Sequence, residues 1–238
     1  MKGRVPWNKG RTKENHPSLL KTSETLKQKK VSNFLGWMTI ARQTGLIPAT
    51  YPALSHTKKT AFLIGLTLGD GHICRHERTE SLRITLGCDK PELWQISAEV
   101  VKDIFHKMPH VRKIKSCEAI AIQIYQKNIS RRLGVPVGAR KELTIDIPPW
   151  IWNNKPCLIA CLKGLYEAEA SLSVHLPTYT YNFSFSNHNV SLLDFVERSL
   201  VELGFHPERR WNAVRIRRKL EVRLLERVLT FRNYDWLR

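Results

Sequence analysis

Two stretches of the chain, Leu63 to Ile73 (LIGLTLGDGHI) and Leu162 to Leu172 (LKGLYEAEASL), repeat one pattern, an apolar helical run that closes on a single carboxylate. The offset is 99 residues at Gly65/Gly164, Leu66/Leu165, Asp70/Glu169 and Ile73/Leu172, and it is still 99 at Leu86/Phe185, Leu93/Leu192 and Ile104/Leu203. Register kept across a helix, a hairpin and the following helix marks a duplicated folding unit. After each acid comes Gly71 or Ala170 and then period-two alternation, so each helix delivers its last residue onto a strand. Ile73 and Arg75 share one strand face against His72, Cys74 and His76, and Leu172, Val174 and Leu176 oppose Ser171, Ser173 and His175.

Small residues recur four apart in each run, Gly65 with Gly69 and Gly164 with Ala168, leaving one face of each helix almost bare. Two bare faces let helix backbones approach closely. Pairing them places Asp70 and Glu169 side by side at helix C-termini, where their charges repel each other and the helix dipoles add to the conflict. A divalent cation resolves it. Mg²⁺ suits a site with few protein carboxylates, water and phosphate oxygens, and the matching chemistry is phosphodiester hydrolysis. Either run alone reads as an ordinary core helix with a solvated terminal acid. The register-matched pair carries the inference.

Lys and Arg total 39 against 21 acids, a net charge of +18, as in a protein that grips a polyanion. Residues 1–60 hold 12 of these cations against only Glu14 and Glu24, and a second basic cluster runs from Arg209 to Arg227. Five cysteines without a Cys-x-x-Cys pair, and no signal peptide, imply reduced thiols in an intracellular protein of cytoplasm, nucleoid or organelle, not a secreted one. The longest apolar stretches fall well short of the ~20 residues that a membrane span needs. His72, Cys74, His76 and Cys88 fit no closed zinc spacing.

The chain divides into a basic arm and linker (1–55), a first half (56–153) and a second half (154–238). In the arm, Trp7 to Gly10 reads as a tight turn and Leu19 to Lys30 as a helix. Pro48 and Pro52 mark the linker, and Ser55 or Thr57 starts the first motif helix. The first half continues as a strand over Ser81–Leu86, a helix over Pro91–Phe105, a strand pair within Val111–Tyr125 and a helix at Ile129–Leu133. The second half repeats the order with a shorter second hairpin through Tyr179–Phe185, Ser191–Leu203, Val214–Leu220 and Leu224–Phe231. Alternation sends Leu82, Ile84 and Leu86 inward and Arg83 and Thr85 outward. It opposes Ile120, Ile122 and Ile124 to Gln123 and Tyr125, Tyr181, Phe183 and Phe185 to Asn182, Ser184 and Ser186, and Val214 and Ile216 to Arg215 and Arg217. That outward set, nearly free of acids, can read base edges from a β-ribbon in a major groove.

The repeated motifs resemble those of the LAGLIDADG homing endonucleases in their single-chain, two-motif form, over residues 56 to 238. Pro149-Trp150-Ile151, Gly134 to Lys141 (GVPVGARK) and Leu200 to Phe205 (LVELGF) support the resemblance. It implies an α+β fold of two pseudo-symmetric αββαββα halves that form an antiparallel β-saddle on the DNA major groove. The motif helices, with Gly65, Gly69, Gly164 and Ala168, form the interface.

By the same resemblance Asp70 and Glu169 bind Mg²⁺ or a similar cation such as Mn²⁺, with Gly69 and Ala168 in the metal site, and direct water at one strand each. A basic residue assists in each half, Lys141 in the first with Arg140 as fallback, and Arg232 in the second. Arg75, Arg83, Thr85, Gln123, Tyr125, Asn182, Ser184, Arg215 and Arg217 face the DNA. Gly3 to Pro17 resembles a nuclease-associated modular DNA-binding motif, which adds Trp7, Lys9, Arg11 and Lys13. The expected partner is double-stranded DNA with a long, partly asymmetric site, cut by an intron-encoded or freestanding monomer. The alternative is an RNA maturase acting on intron RNA, or a DNA-binding protein that no longer cuts. Three departures stand out: Glu169 for the usual Asp, Ala170 for Gly and Lys163 for a small residue. If position 170 needs a positive φ, the second site is the weaker one and the enzyme is biased toward nicking.

Overall fold

The computed structural model describes residues 7–29, 33–48, 50–114 and 116–237. It comprises two compact units, Met1–Tyr51 and Pro52–Arg238. Gly3 to Pro6 of the arm motif, and Lys30 at the end of the arm helix, lie outside the described residues.

In the first unit, Trp7–Gly10 is a turn closed by Gly10 at φ 77°. The Asn15 side chain braces it, accepting from Thr12 N and donating to Gly10 O, while the Arg11 guanidinium lies 5.7 Å from the Trp7 ring centroid. Helix α1 spans Pro17–Gln28 with the proline at its first position, where a missing N–H costs nothing. No second helix is expected here. The structure has α2 over Asn33–Gln43, which buries Ala41.

The second unit contains both halves. The first runs α3 (Lys58–Asp70), β1 (Gly71–Arg75), β2 (Glu80–Gly87), α4 (Pro91–Phe105), β3 (His110–Ile114), β4 (Ala119–Gln126) and α5 (Ile129–Leu133). A short connecting helix, α6 (Pro149–Trp152), leads to α7 (Lys155–Glu169), β5 (Ala170–His175), β6 (Thr180–Ser186), α8 (Val190–Glu202), β7 (Glu208–Arg210), β8 (Ala213–Ile216) and α9 (Lys219–Val228). Each half builds one antiparallel four-stranded sheet, in the orders β1-β2-β4-β3 and β5-β6-β8-β7. Both motif helices start at a side-chain cap: Thr57 accepts from Thr60 N, and Asn154 from Cys157 N. The strand expected over Val214–Leu220 stops at Ile216, because Lys219 and Leu220 open α9, which buries Val222 and Leu225. Among the described residues no helix is long and apolar enough to cross a membrane.

The halves meet along α3 and α7. A Cβ on Gly65 would overlap the Cys161 carbonyl, one on Gly164 the Phe62 carbonyl, and one on Gly69 the Ala168 side chain. Leu63, Leu66, Leu162 and Leu165, all fully buried, join the hydrophobic sides of both sheets into one core.

Candidate active site and nucleic-acid interface

The ends of α3 and α7 bring Asp70 and Glu169 together. Burial and the neighbouring Glu169 charge raise the Asp70 carboxyl from 3.8 to about 7, opposed by Lys90. Burial also raises Glu169, opposed by His188, and Asn187 Nδ2 donates to Glu169 Oε1 at 3.3 Å. Two half-buried carboxylates held above their ordinary range form a site with excess negative charge and hard oxygen donors. That donor set fits a divalent cation that keeps several of its waters. Among the described residues no group of three or more His, Cys, Asp and Glu could hold a metal. His76 instead bonds Ser81 at 2.9 Å.

The C-terminal turn of α3 has a cationic cap. Arg140 Nη2 donates to the carbonyls of Thr67 (2.9 Å), Leu68 (3.3 Å) and Gly71, leaving the Gly69 carbonyl outside its set. The negative end of the helix dipole favours a cation at this position. Lys141, the residue expected to assist, is exposed on the wall of a cavity of about 460 Å³ shared with Glu169, Arg140, Asn187 and His188. A second cavity, of about 280 Å³, is lined by Lys90, Glu92, Arg232 and Tyr234. The two correspond under the internal repeat, since Asp89 and Lys90 match His188 and Asn189 at the 99-residue offset.

Lys90, Asn187, His188 and Asn189 were not among the expected site residues. Lys90 Nζ donates to the Glu167 carbonyl at 3.2 Å. Asn189 caps α8 by accepting from Leu192 N, and donates to Leu143 O at 2.7 Å, which ties the two halves together. The offset itself was the available signal, because Asp89–Lys90 and His188–Asn189 both fall between a repeated strand and a repeated helix. Ala170 has φ −95° and Gly71 has φ −91°, so neither position needs a left-handed backbone, and the condition attached to a weaker second site is not met. Gly71 is required by space instead, as a Cβ there would press on the Thr67 backbone.

On the first sheet His72, Arg83, Gln123 and His110 form one row in register. Arg83 and Tyr125 are exposed, Thr85 and Gln123 are half-buried, and Gln123 Nε2 donates to Tyr125 Oη at 2.9 Å. Arg75 is corrected as a DNA contact: it shares the face of β1 with the buried Ile73, away from the His72–Arg83 row, and although exposed it pairs there with Glu80 at 3.5 Å. On the second sheet Asn182 lies opposite Ser173, and Arg215 lies between Ser184 and Glu208. Two further expected contacts are corrected. Ser184 is only 7% exposed, a short side chain covered between Ser171 and Arg215, and Arg217 lies beyond the end of β8, 4.0 Å from Glu208. In the first unit Trp7, Lys9 and Arg11 are exposed, and Lys13 pairs with Glu14.

The chain matches no protein-family model and no curated protein. Among solved structures, the homing endonuclease I-WcaI bound to its DNA recognition sequence aligns at 14% identity, covering 78% of this chain and 90% of that one, with TM-score 0.52. A mesophilic variant of the homing endonuclease I-DmoI aligns at 17% identity, covering 73% of this chain and 96% of that one, with TM-score 0.50. The chain has the LAGLIDADG homing endonuclease fold. In this chain the two repeated stretches are α3 and α7, and Asp70 and Glu169 are the last residues of those helices.

Proposed function

We propose that this protein is a site-specific DNA endonuclease that cuts both strands of a long, partly asymmetric site as a monomer, using a divalent cation. The observation that carries the reading is the pairing of Asp70 and Glu169 at the ends of two interlocked helices. The net charge of +18 and the row of Arg83 and Gln123 support a DNA substrate. DNA bound by I-WcaI on the same fold agrees with it.

Asp70 and Glu169 hold the cation, with Gly69 and Ala168 beside them in the last helical turns. When bound, Mg²⁺ or Mn²⁺ supplies Lewis-acid polarisation of the scissile phosphate and a more acidic water. Asn187 orients the Glu169 carboxylate, Arg140 neutralises the end of α3, and Lys90 and Lys141 face the strand phosphates from the two cavities. Arg83, Gln123, Tyr125, Asn182 and Arg215 read base edges, and the first unit adds contacts through Trp7, Lys9 and Arg11. A supercoiled plasmid carrying a site selected from a randomised duplex library by the full-length protein tests the reading. Linearisation with Mg²⁺ that stops in chelator supports it. Tight binding without cutting in Mg²⁺ or Mn²⁺ contradicts it and favours a binding protein or an RNA maturase.

A further inference from the structure

The second half ends in a strap, residues 229–237, held from beneath by a buried ion pair. Lys163 and Glu167, one turn apart on α7, are 1% and 2% exposed, and the ammonium lies 3.3 Å from the carboxylate. Lys163 Nζ donates to the carbonyls of Leu229 (3.2 Å), Thr230 and Asn233 (2.7 Å). Glu167 accepts from Arg232 N and from Tyr234 Oη, both at 2.7 Å. Between these bonds Thr230 (φ 45°) and Arg232 (φ 60°) sit in the left-handed region, a conformation that a β-branched threonine resists. Such strain persists only where its surroundings over-determine it, and it concentrates at functional sites.

The fold itself does not require ions here. At the equivalent positions of the first half, 99 residues earlier, Ile64 and Leu68 are buried and apolar. What the pair adds is a fixed position for Arg232. That side chain is exposed and borders the cavity that also contains Lys90, the cation opposing Asp70. Glu167 connects the two directly: its carboxylate holds the Arg232 backbone while its carbonyl oxygen holds Lys90 Nζ. The Glu169 side is served by another loop, carrying Lys141.

We infer that Lys163 and Glu167 are positioning residues that hold Arg232 beside Lys90, so that both cations meet one phosphate of the strand cut on the Asp70 side. The inference rests on the endonuclease reading and adds strand selectivity to it. Damage to the clamp therefore slows one strand, whereas a purely structural pair would slow both in proportion to the folded fraction.

The experiment follows each strand of a separately end-labelled duplex, carrying the selected site, during cleavage by the full-length protein in Mg²⁺. Arg232→Ala is expected to slow one strand by about 100-fold, the scale for loss of one transition-state donor, and to accumulate nicked product. Arg232→Lys restores part of that rate. Lys163→Met slows the same strand, and adding Arg232→Ala to it costs little more, because the two changes remove one effect. Tyr234→Phe, which deletes a single bond of the clamp, gives the same strand bias in a background that folds if Lys163→Met does not. Variants that slow both strands equally, or opposite strands, overturn the inference while the endonuclease reading stands. A parent protein that cuts neither strand overturns both.

Discussion

Gly65 and Gly164 face each other across α3 and α7 so closely that each would drive a Cβ into a backbone carbonyl of the partner helix. Everything at the site depends on that approach, because it sets how near Asp70 comes to Glu169. Gly164→Ala is expected to cost about 2–3 kcal/mol through overpacking, although alanine is the better helix former. Chemical denaturation measures it. A neutral or stabilising Gly164→Ala would show that the helices have room to separate.

The raised Asp70 carboxyl makes metal-free stability depend on pH. Its value is 3.8 ordinarily and about 7 when folded, so the stability it lends is complete below 3.8 and is lost as pH rises through about 7. Asp70→Asn carries no charge to bury. In chelator it is expected to melt on the order of 4–8 °C above the parent at pH 8, about 2 kcal/mol after allowing for the part of the carboxyl that meets solvent, with the gap closing by pH 4. Mg²⁺ at pH 8 should raise the parent Tm by more than the variant's, which keeps only the Glu169 carboxylate. Scanning calorimetry over the pH range decides it, and a pH-independent gap would contradict the coupling.

Arg140 contributes through the carbonyls of Thr67, Leu68 and Gly71 rather than through contact with DNA. Arg140→Met is expected to destabilise the protein by about 1–3 kcal/mol, since it leaves buried acceptors unpaired. Lys141→Met, on the cavity wall, should leave the melting point in place and reduce the cleavage rate. The two melts and two rates separate the neighbours, and the reverse pattern would exchange their roles.

Arg83 offers a base-reading test. Arg83→Ala should cost about 1–3 kcal/mol of discrimination at one position of the site, whereas Lys9→Ala in the first unit should weaken binding evenly across sequences. Binding selections on a randomised duplex compare them. Uniform loss with Arg83→Ala would place that side chain on phosphate.

Much of this site was legible because duplication writes it twice. The repeated acids and glycines located Asp70, Glu169 and the α3–α7 contact, and Pro91 at the first position of α4 fixed the start of that helix. Helix α2 was missed although it was legible: Phe34, Trp37, Met38 and Ala41 recur at helical spacing, and Gly45 at φ 73° follows its C-terminal end. Lys90, Asn187 and His188 occupy turns, where the direction of a side chain is set by tertiary placement and not by a local period. The same limit applies to Arg140 and Lys141, adjacent residues of one loop that take different roles. Lys163 looked like a departure from a small-residue position. Its partners, Thr230 and Asn233, come from a strap more than sixty residues later, and no local pattern announces them.

The most direct measurement is cleavage and binding of the selected duplex by the Asp70→Asn, Glu169→Gln double variant, with both strands labelled and Mg²⁺ present. Loss of cutting on both strands, with affinity at least equal to the parent's, is the predicted result, because neutral side chains keep the surface that holds DNA and remove the charges that hold the cation. Cutting that survives in the double variant would contradict the paired-carboxylate site.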